Sequence, residues 1–84
     1  MGFLKVDEYI WRVERYLMYR YGVDTAQRDT EPLRWYIRTG RASAMFLRLL
    51  TDAKPYMIGR LLHQGGSIDE TVKRVRMYIG IDVS

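Results

Sequence analysis

The residues best suited to chemistry in this 84-residue chain are arginines that lie beside a tryptophan. Arg34 and Arg38 are four residues apart, so a helix would place them on one face, with Trp35 at its border and Arg41 shortly after. A guanidinium group binds phosphate through two parallel hydrogen bonds, and an exposed indole ring can stack on a base. The pattern therefore predicts a surface that binds nucleic acid.

The excess of positive charge falls in the middle third of the chain. Residues 34–60 hold six basic residues against one acid, a net charge of +5, whereas residues 1–33 sum to −1 and residues 61–84 to zero. An acidic protein surface would suit the same cations. A further interpretation is a solvated charged face with Trp35 turned into the core. The interface predicted from this region comprises Arg34, Trp35, Arg38, Arg41 and Arg48.

A second candidate surface lies on the first predicted helix. The apolar stripe expected to face the core consists of Val6, Ile10, Val13, Leu17 and Tyr21. Trp11 and Met18 fall outside this stripe and, being seven residues apart, lie above one another on the far side of the helix. We predict that they contact a second copy or a partner protein. The alternative is that the segment 24–31 or the last helix covers Trp11.

Catalytic and metal-binding chemistry is poorly represented. The chain has no cysteine and a single histidine, which excludes thiolate zinc sites and any mechanism that needs two histidines in one monomer. Gly65 and Gly66 lack the lysine that follows a phosphate-binding loop, and His63 is expected to cap the end of a helix. We therefore expect no enzyme, no cofactor and no metal.

The spacing of apolar residues, glycines and prolines predicts an all-α fold, a single domain over residues 1–84 with four or five short helices around one core. Asp7 is the expected N-cap of the first helix, and Ser67 with Glu70 forms a capping box at the last. The predicted helices cover residues 8–21, 32–39, 43–53, 55–64 and 67–79. The polar residues 24–31 are the only long loop expected, and its three acids could neutralise the arginines that follow.

The last two predicted helices have about the lengths of a helix-turn-helix, whose second helix reads the major groove. Here the outer charges of that helix form two i, i+4 pairs, Asp69 with Lys73 and Glu70 with Arg74. Because these charges are paired, the outer face of the helix is poorly suited to contact bases in the major groove. Leu62 is also bulky where the two helices would cross. This motif is therefore not favoured.

Two functional hypotheses follow from the sequence. The first is a small helical accessory or regulatory factor that binds nucleic acid through residues 34–60, as a homodimer. The second is a protein–protein interaction module, a small adaptor or inhibitor, that binds no nucleic acid. The longest stretch without a charged residue, 61–68, is far shorter than the roughly 20 apolar residues of a membrane span. Residues 1–7 lack the apolar core of a signal peptide, so we expect a cytoplasmic protein without a membrane partner.

Overall fold

A computed structural model describes the backbone of residues 2–81 and the side chains of residues 5–81. It is 82% helical, and this part of the chain contains no strand, which confirms the all-α prediction. The five helices are α1 (Gly2–Tyr21), α2 (Val23–Arg38), α3 (Ala44–Asp52), α4 (Pro55–His63) and α5 (Ile68–Ile79). None of the helices described has the length and apolar character needed to cross a membrane.

The ends of α3, α4 and α5 follow local signals in the sequence. The hydroxyl of Ser43 accepts a hydrogen bond from the backbone N–H of Phe46, and Pro55 occupies the first turn of α4. The capping box of α5 is complete, because Ser67 and Glu70 each accept from the other's backbone N–H. Gly80 ends α5 in the left-handed conformation, with φ of 94°. The predicted bounds of these three helices are therefore confirmed to within one residue.

The predicted start of α1 was wrong. α1 begins at Gly2, and Asp7 lies inside the helix instead of capping it. Val6 and Ile10 are both buried, so the core-facing stripe already extends to the turn before Asp7. Burial of Val6 in this additional turn favours the longer helix.

The predicted loop over residues 24–31 was also wrong. Only Gly22, with φ of 96°, separates α1 from α2, and Pro32 lies within α2. The buried face of α2 consists of Ala26, Asp29, Thr30 and Leu33, which recur at helical spacing. Their burial holds the segment in a helix although Pro32 cannot donate a backbone hydrogen bond.

All five helices contribute to one core. α1 packs mainly against α2 and α4, and α3 and α5 complete the enclosure. The contact between α1 and α4 is close at Gly59, where an added Cβ would lie 2.6 Å from Cδ2 of Tyr16. The fully buried side chains include Val13, Leu17, Leu33, Phe46, Leu50, Ile58, Leu62 and Val75.

Candidate nucleic-acid interface

Helix α2 divides the basic surface predicted from the sequence between two sides of the molecule. Arg34 and Arg38 line a groove of about 570 Å³ between α1 and α2, together with Trp11. Trp35 and Arg41 instead line a cleft of about 360 Å³ between α2 and α5. We call these the α1–α2 groove and the α2–α5 cleft. The groove is lined by Val6, Asp7, Ile10, Trp11, Glu14, Arg34, Ile37 and Arg38. The cleft is lined by Trp35, Tyr36, Arg41, Ile68, Asp69, Val72, Lys73 and Arg76.

The two arginines of the α1–α2 groove already have acidic partners. Nη2 of Arg34 lies 2.6 Å from Oε2 of Glu14, and both side chains are half-buried. Nη2 of Arg38 lies 3.6 Å from Oε2 of Glu31, one of the acids expected to neutralise this region. Arg34 is therefore paired within the chain, whereas the pair of Arg38 is exposed and weak, and neither residue lines the same cleft as Trp35.

The α2–α5 cleft brings an aromatic ring and a guanidinium group together. Cζ of Arg41 lies 4.8 Å from the centroid of the Trp35 ring, which is cation–π geometry. Trp35 is half-buried at the end of α2, and Arg41 follows the turn at Gly40. The sequence predicted that Trp35 and Arg41 lie close together, and in the structure the guanidinium of Arg41 stacks on the Trp35 ring.

Helix α5 contributes two further cations to this cleft. Lys73 and Arg76 are three residues apart and line its opposite wall. Nη1 of Arg76 donates a hydrogen bond of 2.8 Å to the hydroxyl of Tyr36. The Tyr36 ring is itself held edge-on against the buried Phe46, with 5.1 Å between ring centroids. Arg76 is thus positioned by a side chain that is anchored in the core.

The cleft has an excess of positive charge. Arg41 and Lys73 already outnumber the acid in the lining, Asp69. The pairing of Lys73 with Asp69 that their spacing suggested is not formed, and among the described residues neither Lys73 nor Arg41 has a carboxylate partner within 4.0 Å. In such a cleft the basic side chains can bind a phosphate while a base stacks on the aromatic ring or on a guanidinium plane.

Lys73 and Arg76 were not among the site residues predicted from the sequence, because the i, i+4 charge pairs of α5 predicted a neutral outer face. The spacing of three residues, which places both on one helical face, was the available signal. Arg48 is exposed on α3 and does not line the α2–α5 cleft. Trp11 and Met18 are exposed on α1, as the angular argument predicted, with exposed fractions of 52% and 39%.

His63 does not cap α4 as expected. Its Nδ1 atom lies 2.7 Å from Oδ2 of the buried Asp29, and its ring stacks on Tyr21 with 3.7 Å between centroids. The carbonyls at the end of α4 are bonded instead by Arg74, whose two terminal nitrogens donate to the carbonyls of Leu61 and Gly65, each at 3.0 Å. The guanidinium of Arg74 therefore has the capping role that was predicted for the imidazole of His63.

A cavity of about 310 Å³ adjoins the contact between His63 and Asp29. The hydroxyl in its lining, that of Thr71, donates to the carbonyl of Gly65 at 3.4 Å. The residues described contain no cluster of three or more His, Asp or Glu side chains able to hold a metal ion. The contact between His63 and Asp29 joins α4 to α2.

Comparisons with known protein families, with curated proteins and with solved structures find no match to this chain. The α2–α5 cleft combines a ring, three cations and a concave shape, and it is the strongest candidate site among the described residues.

Proposed function

We propose that this protein binds single-stranded nucleic acid through the α2–α5 cleft and acts as a small accessory or regulatory factor. The observation that carries the proposal is the convergence of Trp35, Arg41, Lys73 and Arg76 on one cleft of about 360 Å³. Proteins that bind single strands combine a positively charged recess with a ring on which bases stack. Both components are present here, from two helices and the turn that follows α2.

Each side chain has a separate role in the proposed complex. Arg41 lies on the Trp35 ring, and the outer face of its guanidinium plane offers a surface on which a base can stack. Lys73 and Arg76 on the opposite wall bind the phosphates that flank that base. Arg76 is held by Tyr36, so less side-chain entropy is lost when it binds a phosphate. These contacts are tolerant of base sequence.

An unpaired strand suits this cleft better than a duplex. Stacking on Arg41 or Trp35 requires a base whose face is free, which a base pair inside a duplex does not offer. The two arginines that could have extended the surface along a duplex backbone, Arg34 and Arg38, lie in the other groove and have acidic partners. We therefore expect weak, largely sequence-independent binding that favours single strands.

The test is a titration of labelled oligonucleotides, single-stranded and duplex, by fluorescence anisotropy at several salt concentrations. The two phosphate contacts of Lys73 and Arg76 imply a log–log slope of about −1.4 on a single strand, because each contact contributes about −0.7. Lys73→Ala should reduce the slope by about 0.7, whereas Arg41→Ala should weaken single-strand binding with a smaller change in slope, because Arg41 stacks on a base. Arg48→Ala is the matched control, since it removes the same charge from an exposed site outside the cleft.

Trp35→Leu tests the stacking component. It should weaken single-strand binding by about 1–3 kcal/mol and duplex binding by much less, because the ring supports the Arg41 guanidinium on which the base stacks and does not bind the backbone. The proposal fails if no oligonucleotide binds at low ionic strength. It also fails if Arg48→Ala lowers the slope as much as Lys73→Ala, since the binding would then come from diffuse positive charge.

The rival function, a protein–protein interaction module, is favoured by a different observation. The α1–α2 groove places the exposed Trp11 beside Arg34 and Arg38, so an aromatic side chain and two guanidinium groups border one apolar recess. Aromatic side chains and arginines are enriched at protein–protein interfaces. If this is the function, the titrations will show no binding, and substitution of Trp11 will abolish association with the protein target.

A further inference from the structure

Helix α1 carries a row of large exposed side chains on the side that faces away from the core. Trp11, Met18 and Tyr19 have exposed fractions of 52%, 39% and 81%. With Arg15, Gly22 and Val23 they border a hollow of about 400 Å³. Exposed apolar side chains that are contiguous, as these are, mark interaction surfaces more often than exposed residues that are scattered singly.

The charges on this face are complementary to those of the same face on a second copy. Glu8 precedes Trp11 by three residues and Arg15 follows it by four. In a helix with 3.6 residues per turn, Glu8 and Arg15 lie on the same side of Trp11, at angles of about 60° and about 40° from it. When two such helices are antiparallel about a two-fold axis next to Trp11, Glu8 of each copy faces Arg15 of the other.

Arg15 is already oriented for such a pair. Its Cζ atom lies 4.7 Å from the centroid of the Trp11 ring and 5.9 Å from that of Tyr19. A guanidinium that stacks on a ring keeps its N–H edges available to a carboxylate. Glu8 pairs with Arg12 at 3.6 Å, and both side chains are exposed, so this interaction is weak and Glu8 can be recruited.

We propose that this face binds a second copy of the chain. The two α1 helices pack antiparallel, the two Trp11 side chains meet at the centre, and two Glu8–Arg15 pairs form across the interface. Tryptophan and arginine at the centre of a patch are the residues that contribute most to protein–protein binding. The dimer is independent of nucleic-acid binding, because none of these residues lines the α2–α5 cleft.

The experiment is sedimentation equilibrium of the full chain over a wide range of concentration, with charge-swap variants. The wild-type protein should form a dimer as the concentration rises. Glu8→Arg and Arg15→Glu should each weaken the dimer about tenfold or more, because each places two like charges in contact at both ends of the interface. The double variant, Glu8→Arg with Arg15→Glu, should restore the affinity. Arg20→Glu is the matched control, since it reverses a charge on the opposite side of α1 and should leave the dimer unchanged.

Trp11→Asp supplies a second readout. It should remain helical by circular dichroism and sediment as a monomer at every concentration. A wild-type protein that is monomeric throughout overturns the proposal. A dimer that survives both single charge reversals, or that the double variant does not restore, overturns the antiparallel arrangement proposed here.

Discussion

The Nδ1 atom of His63 lies 2.7 Å from Oδ2 of Asp29, and this contact joins α2 to α4. The side chain of Asp29 is only 4% exposed, so its carboxylate depends on protein partners in place of water. The second oxygen, Oδ1, lies 3.5 Å from Nε of the exposed Arg28. Tyr21 stacks on the imidazole from the end of α1 and completes the cluster.

Removal of the imidazole should therefore destabilise the fold. We expect His63→Ala to lower the free energy of unfolding by about 2 kcal/mol or more, because it leaves a buried carboxylate with one exposed partner. Urea denaturation measures the change. Asp29→Asn in the His63→Ala background should cost little, because the unpaired charge is then absent. If the two substitutions are additive, the two side chains are not coupled and this account of the contact is wrong.

The same pair explains why the sequence predicted a loop where α2 begins. The buried face of this helix includes Asp29 and Thr30, which a hydrophobic pattern scores as solvent-exposed. Thr30 is satisfied within the helix, since its hydroxyl donates to the carbonyl of Ala26 at 2.8 Å. The hydrogen-bond partner of Asp29 is His63, 34 positions later in the chain, and a local sequence pattern cannot predict a contact over that separation. The helix ends at Ser43, Pro55 and Gly80 were predictable because capping is local.

The candidate site was only partly predictable for a related reason. Sequence proximity correctly associated Trp35 with Arg41, which the turn after α2 brings together. It also associated them with Arg34, whose partner Glu14 lies 20 residues earlier on α1 and draws it to the other groove. Lys73 enters the cleft only because α5 packs against α2. Tertiary packing decided which cations share a surface.

Arg74 should matter more to stability than an exposed ion pair. The spacing of Glu70 and Arg74 predicted a surface pair, for which Arg74→Ala would cost less than ~1 kcal/mol. Because Arg74 instead bonds the carbonyls of Leu61 and Gly65 at the end of α4, we expect Arg74→Ala to cost about 1–3 kcal/mol. The measurement is urea denaturation.

Lys73→Ala is the control for Arg74→Ala, because it removes a neighbouring exposed cation that caps nothing. It should change stability by no more than about 0.5 kcal/mol. In the oligonucleotide titrations the order should reverse, with Lys73→Ala lowering affinity more than Arg74→Ala. Equal effects of the two substitutions on stability would contradict a capping role for Arg74.

The capping box of α5 should give the protein a measurable dependence on acid. Hydrogen bonds from the backbone N–H and the hydroxyl of Ser67, with a further contribution from the positive charge of Arg74, lower the pKa of Glu70 below its ordinary value of 4.5. A carboxyl whose pKa is lower in the folded state stabilises the fold fully above its unfolded pKa, and this contribution is lost as the pH falls through the folded pKa.

The free energies of unfolding of the wild type and of Glu70→Gln should therefore converge as the pH falls below 4.5. Chemical denaturation at a series of pH values measures both. Ser67→Ala removes the hydroxyl but keeps the backbone N–H. In that background the effect of Glu70→Gln on the free energy of unfolding should still decrease as the pH falls, but by a smaller amount. A difference between wild type and Glu70→Gln that is constant with pH would show that Glu70 gains nothing from its charged form.

Position 59 should require glycine because α1 packs closely against α4 there, and not because the backbone adopts a conformation that only glycine allows. An alanine in the middle of a helix is favoured over glycine by about 1 kcal/mol. Here the added methyl group would lie 2.6 Å from Cδ2 and 3.1 Å from Cε2 of Tyr16, so the ring or the helix must move. Overpacking of this kind costs about 1–3 kcal/mol, so we expect Gly59→Ala to destabilise the wild type despite its better helix propensity.

The same substitution should have the opposite sign when the obstacle is removed. In a Tyr16→Ala background the side-chain atom nearest to the added methyl group is Cγ of Leu17, at an ordinary contact distance of 3.6 Å. There Gly59→Ala should stabilise the protein by up to about 1 kcal/mol, the difference in helix propensity. Thermal and urea denaturation of the four proteins of this double-mutant cycle measure the coupling between the two positions. If Gly59→Ala destabilises both backgrounds equally, the Tyr16 ring is not what restricts this position to glycine, and the close packing of α1 on α4 has no energetic role there.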